Sequence, residues 1–103
     1  MTPDRATQVT FPRVWNKRGV RAPATAVYVG RPTKWGNPFS HLPNTLAKFQ
    51  VKTRDDAVDA YRSWVVTQPE LLSSLEELRG RDLVCWCAPK RCHADVLLEL
   101  SNA

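Results

Sequence analysis

A chain of 103 residues holds one hydrophobic core and little more, so a second domain is not expected. Apolar residues make up 43% and charged residues 24%, which is ordinary globular usage and excludes wholesale disorder despite eight prolines. The formal charge of +5 is concentrated early, where Arg13, Lys17, Arg18, Arg21, Arg31 and Lys34 face Asp4 alone, and such a face attracts nucleic acid, nucleotide phosphates or an acidic protein surface.

No apolar run reaches the roughly 20 residues that span a bilayer, and Met1 to Arg5 lacks the apolar stretch of a signal peptide, so a cytoplasmic protein without a membrane partner is expected. Three cysteines, an odd number gathered between Cys85 and Cys92, make a poor disulfide framework and fit reduced thiols.

Residues 1–7 read as a flexible tail. Gln8 to Trp15, with Val9, Phe11, Val14 and Trp15, suggests a strand interrupted or held at an edge by Pro12. Ala26 to Gly30 is short, apolar and closed by glycine, as in a buried strand that delivers the chain into a loop. From Arg31 to Thr53, Pro32, Gly36, Pro38 and Pro43 interrupt any period; the stretch is expected to be irregular, with a helical turn over Leu46 to Phe49.

Thr53 has the chemistry of an N-cap, Asp55 and Asp56 suit the first turn of a helix, and Ala57, Val58, Ala60, Tyr61, Trp64 and Val65 follow at helical spacing. Pro69 can open a second helix whose Leu71, Leu72, Leu75 and Leu78 form a stripe, and Gly80 supplies its stop. Leu83 to Cys87 is a compact apolar strand, and a last helix runs from Cys92 to Leu100. The order β-β-α-α-β-α predicts a small α/β domain, with about three helices packed on a short, mostly parallel sheet in which the second and third strands pair.

Two segments carry chemistry. In Cys85-Trp86-Cys87-Ala88-Pro89-Lys90-Arg91-Cys92-His93, strand periodicity puts Cys85 and Cys87 on one face with Trp86 opposite, while Cys92 and His93 open the helix. Ligands of open α/β sheets bind beyond the carboxyl ends of the strands, where Cys87 to His93 would sit. The helix dipole with Lys90 and Arg91 would favour a Cys92 thiolate, the best nucleophile by this reading, with His93 as acid or base and Asp95 as its partner. A second reading makes Cys85, Cys87, Cys92 and His93 ligands of zinc, although four ligands from one segment is unlike structural zinc, and no cofactor is otherwise expected. Cys85 is most simply a small core residue.

In the loop Arg31 to Phe39, Arg31 and Lys34 can hold phosphate, Trp35 can stack on a base, Gly36 permits close approach and Asn37 can read a base or ribose edge. The alternative is a turn that tucks Trp35 and Phe39 into the core.

Taken together, Tyr28-Val29-Gly30-Arg31-Pro32-x-x-Trp35-Gly36-Asn37-Pro38-Phe39 and Cys85-Trp86-Cys87-x4-Cys92-His93 resemble a family of small phage and actinobacterial domains of unknown function. The resemblance extends from about Arg13 to the C-terminus and implies a phage-type accessory protein in a host cytoplasm. Three functions stay open: an enzyme acting on a nucleotide, nucleoside or nucleic-acid base, a nucleic-acid or host-protein binder, and a small zinc domain.

Overall fold

The computed structural model describes residues 12–18, 22–42 and 47–103. The expected tail, the first residues of the strand expected from Gln8, and Leu46 lie outside them.

The apolar run Leu83–Cys85 forms β5, the centre of a three-stranded parallel sheet between β1 (Val14–Asn16) and β2 (Val27–Tyr28). Leu83 aligns with Val14 on one side and with Val27 on the other. Both flanking strands are half-buried, and in β5 Leu83 and Cys85 are almost wholly enclosed while Val84 between them is half-buried, so the face that carries Leu83 and Cys85 is the one turned to the core. Ladder bonds continue past the strand ends, from Lys17 N–H to the Cys85 carbonyl at 2.7 Å and from Val29 N–H to the Val84 carbonyl at 3.0 Å.

The stretch expected to be irregular contains a second parallel pair, β3 (Phe39–Ser40) with β4 (Phe49–Gln50). The Phe39 and Phe49 rings stack at 5.3 Å, so Phe49 ends in a strand and not in the helical turn expected there. Two-residue strands carry no readable alternation, and their pairing is a tertiary event.

α1 (Arg54–Val65) begins where Thr53 Oγ1 accepts the Asp56 N–H at 3.0 Å, and it buries Ala57, Val58, Tyr61 and Val65. α2 (Pro69–Ser74) has proline in its first turn and tightens into a 3-10 turn over Leu75–Glu77. That change of pitch divides the expected leucine stripe: Leu71 and Leu78 are buried, Leu75 is half-buried, and Leu72 is exposed. Gly80 reverses the chain with φ of +76°, a conformation in which glycine carries no Cβ penalty.

α3 (His93–Ser101) packs against β5, β1 and α1. Val29, Tyr61, Val65, Leu78, Leu83, Val96 and Leu97 form the fully enclosed centre of the core. The result is a small mixed α/β domain in the expected element order, with the β3–β4 pair added. No helix among the described residues is long and apolar enough to cross a membrane.

Candidate functional site

β5 ends at Cys85, so strand alternation never reaches Cys87. The chain instead turns through Trp86, Cys87 and a cis Ala88–Pro89 bond, then Lys90 and Arg91, and enters α3 at its N-cap, Cys92. Beside it, the chain leaving β2 turns through Gly30 and a cis Arg31–Pro32 bond toward β3. Side chains lock these two turns together. Trp86 Nε1 donates to Tyr28 Oη at 3.0 Å, and that hydroxyl donates to the Arg31 carbonyl at 2.9 Å. His93 Nε2 donates to the Val29 carbonyl at 2.7 Å, and Asn16 Nδ2 donates to the Ala88 carbonyl at 2.6 Å.

Between the turns lies a cavity of about 660 Å³, within the usual range for small-molecule sites. Arg31, Arg54, Lys90 and Arg91 line it together with the three cysteines, His41 and His93, while Tyr28, Phe39 and Trp86 supply aromatic surface. Among the described residues, no aspartate or glutamate belongs to its wall. Arg91 is held by Asp55 at 3.0 Å and Asp59 at 2.8 Å, which leaves Arg31, Arg54 and Lys90 as its more available cations.

Of the residues expected in the site, Cys87, Cys92, His93, Arg31 and Asn37 line the cavity, and Lys34, Trp35, Gly36 and Asp95 do not. Trp35 is 3% exposed and belongs to the core, with its carbonyl accepting the Tyr61 hydroxyl at 2.8 Å. Lys34 pairs with Glu77 at 2.9 Å. A Cβ on Gly36 would stand 2.7 Å from Arg31 Cγ, so the close approach there is intramolecular. Asn37 spends its amide on the fold, donating to the Ala57 carbonyl at 3.1 Å and accepting the Phe39 N–H at 2.8 Å. Asp95 closes a capping box by accepting the Cys92 N–H at 2.9 Å, while the ring partner of His93 is the Val29 carbonyl.

Sequence reasoning missed Arg54, Tyr28 and Trp86. The only local signal for Arg54 is a cation at the first position of a helix, against the dipole. Trp86 is 52% exposed at the cavity rim, which strand alternation does not reveal because the strand has already ended.

The family profile for a domain of unknown function, DUF4326, matches residues 13–103. The chain belongs to this family. An uncharacterized 12.4 kDa protein in the nrdA-td intergenic region of Enterobacteria phage T4 is 30% identical over 76 residues, covering 74% of this chain and 67% of the phage protein. No solved structure matches. Both turns that build the cavity fall inside the DUF4326 match.

In this DUF4326 domain Cys87 is the thiol whose pKa is pushed down. Hydrogen bonds from Cys85 and Cys92 lower its pKa to about 2 against the opposing effect of burial, and the Arg54 charge adds to the lowering. The same interactions, together with burial, push Cys92 upward and outweigh a hydrogen bond from the backbone at Ala94. Cys85 is likewise raised, first by its bond to Cys87. Cys92, expected as the thiolate, is 3% exposed and its pKa is pushed up by its sulfur neighbours and by burial. Among the described residues, no group of three or more His, Cys, Asp or Glu side chains is placed to hold a metal ion.

Burial lowers the pKa of His93 below its ordinary 6.5 more strongly than its neighbours raise it. The folded domain thus binds fewer protons than the unfolded chain below pH 6.5, and stability contributed by the neutral ring is present above that value and lost as pH falls toward the folded pKa. Melting temperature should accordingly decline from pH 7 to pH 5, and His93→Gln should flatten that limb; an unchanged slope in the variant would assign the decline to other groups.

Proposed function

We propose that the cavity binds a phosphate-bearing nucleotide ligand, with the phosphate on Arg31, Arg54 and Lys90 and the base against Trp86, beside a Cys–His segment able to process it. The observation that carries this reading is a wall with several cations and, among the described residues, no carboxylate, rimmed by an exposed indole. Cations on the wall favour an anion wherever its phosphate sits. The indole supplies what inorganic phosphate cannot use, since stacking on an aromatic plate contributes about 1–3 kcal/mol per base. Trp86 is braced for that role by its bond to Tyr28 Oη at 3.0 Å. Lys17 and Arg18 lie within 6 Å of its ring centre, at 5.9 and 5.8 Å, and extend positive charge outside the cavity.

Calorimetry with nucleoside monophosphates, and with inorganic phosphate as the competitor, tests the reading. The nucleotide should bind more tightly than phosphate, and Trp86→Ala should weaken the nucleotide by roughly 5- to 150-fold while leaving phosphate affinity unchanged. Equal affinities for nucleotide and phosphate, unaffected by the substitution, would remove the base from the site.

A further inference from the structure

Three thiols converge where the chain leaves β5, and they are not equivalent. Cys85 Sγ and Cys92 Sγ lie 2.9 Å apart, Cys85 at 1% exposure and Cys92 at 3%. Cys87, half-buried, stands on the cavity wall with its N–H directed at Cys85 Sγ at 3.4 Å. All three cysteines line the cavity, and Cys87 is the most accessible of them, half-buried where Cys85 and Cys92 are almost wholly enclosed. Cys87 has the Cys85 and Cys92 thiols and the Arg54 guanidinium as neighbours, and Lys90 lines the same cavity.

We propose that Cys87 is the covalent nucleophile of this cavity, acting on a carbon electrophile carried by an anionic ligand, with Cys85 and Cys92 as positioning residues that hold its sulfur. The proposal rests on the anion-binding reading above only in that the cations deliver the electrophile. In the step itself, a sulfur lone pair forms an S–C bond as the bond from that carbon to its leaving group breaks, and the leaving group departs with the bonding pair. No oxidant or reductant is consumed. No proton need be removed, because the sulfur attacks as the thiolate. Cys85 and Cys92 hold that sulfur through their contacts with it and take no part in bond formation.

Alkylation of the wild-type chain tests this with two probes of one reaction, anionic iodoacetate and neutral iodoacetamide, each releasing iodide as the S–C bond forms. Peptide mass mapping should place the first label on Cys87. Iodoacetate should be favoured by about ten-fold or more, because local cations concentrate an anion. Inorganic phosphate should protect, and the rate should stay nearly flat from pH 8 to pH 5, where an ordinary thiol near pKa 8.5 slows about ten-fold per unit. Cys92→Ala should raise the inflection of the rate profile, and Cys92→Ser, whose hydroxyl still donates, should restore it toward wild type.

First labelling at Cys92 or Cys85, a preference for iodoacetamide, or an ordinary thiol profile at Cys87 would overturn the proposal. Nucleotide affinity measured separately keeps the two readings apart. If a nucleoside monophosphate binds and Cys87 behaves as an ordinary thiol, the nucleophile fails and the binding reading stands. If Cys87 is labelled selectively and protected by phosphate but no nucleotide binds, the nucleotide reading fails and the nucleophile stands.

Discussion

Trp35→Ala is expected to destabilise the domain by about 3–5 kcal/mol, the usual cost of emptying an aromatic site in a packed core. For a chain of this size that is a fall in melting temperature of more than about 10 °C, and it consumes a large part of the 5–15 kcal/mol typical of a small domain. The indole is 3% exposed and packs in the same cluster as Val58, Tyr61 and Val65 of α1. Its backbone carbonyl receives the Tyr61 hydroxyl, so the loop and helix are joined by both packing and a buried hydrogen bond. Trp86→Ala is the control, since its ring is 52% exposed and its loss should leave the melting temperature within a few degrees of wild type. Thermal unfolding followed by circular dichroism separates the two tryptophans. A Trp35→Ala variant that melts like wild type but no longer binds ligand would return Trp35 to the site and refute its place in the core.

The contrast between those tryptophans shows what the sequence could reveal. α1 was legible because a cap, acidic first-turn residues and a regular apolar stripe all report local geometry, and Thr53, Asp55 and Asp56 occupy those positions. The central strand was legible as a short apolar run, and its parallel pairing with β2 followed from the intervening helices. Trp35 and Trp86 both sit in irregular backbone, where no period tells inward from outward, so composition could not tell that Trp35 is buried and Trp86 exposed. The convergence of the two turns was anticipated from residue chemistry, but its agents are cross-loop contacts such as Trp86 to Tyr28 and His93 to Val29, at sequence separations of 58 and 64. The thiols show the same division. The helix-start argument for Cys92 is local, whereas the two sulfur neighbours that push its pKa up are placed by where β5 ends.

Arg54→Ala should be the most damaging substitution for anion binding that spares the fold. Arg54 occupies the first position of α1, where the unpaired N–H groups make a cation unfavourable, so no helix stability is lost with it. Its charge also reaches Cys87, whose pKa it helps to lower. Hydrogen bonds to charged groups contribute about 1.5–3 kcal/mol, so phosphate or nucleotide affinity should fall roughly 10- to 150-fold. The pH inflection for Cys87 alkylation should rise in the same variant while its melting temperature holds. Arg91 lines the same cavity but both its terminal nitrogens face carboxylates, Asp55 and Asp59, whose charges offset its attraction for an anion, so Arg91→Ala should cost less affinity. Calorimetric titration of the two variants at low and moderate salt decides the matter. Equal losses at both positions would mean that the whole basic rim attracts the anion diffusely, whereas a loss confined to Arg54→Ala places the anion beside the Cys87 sulfur, where the proposed chemistry requires it.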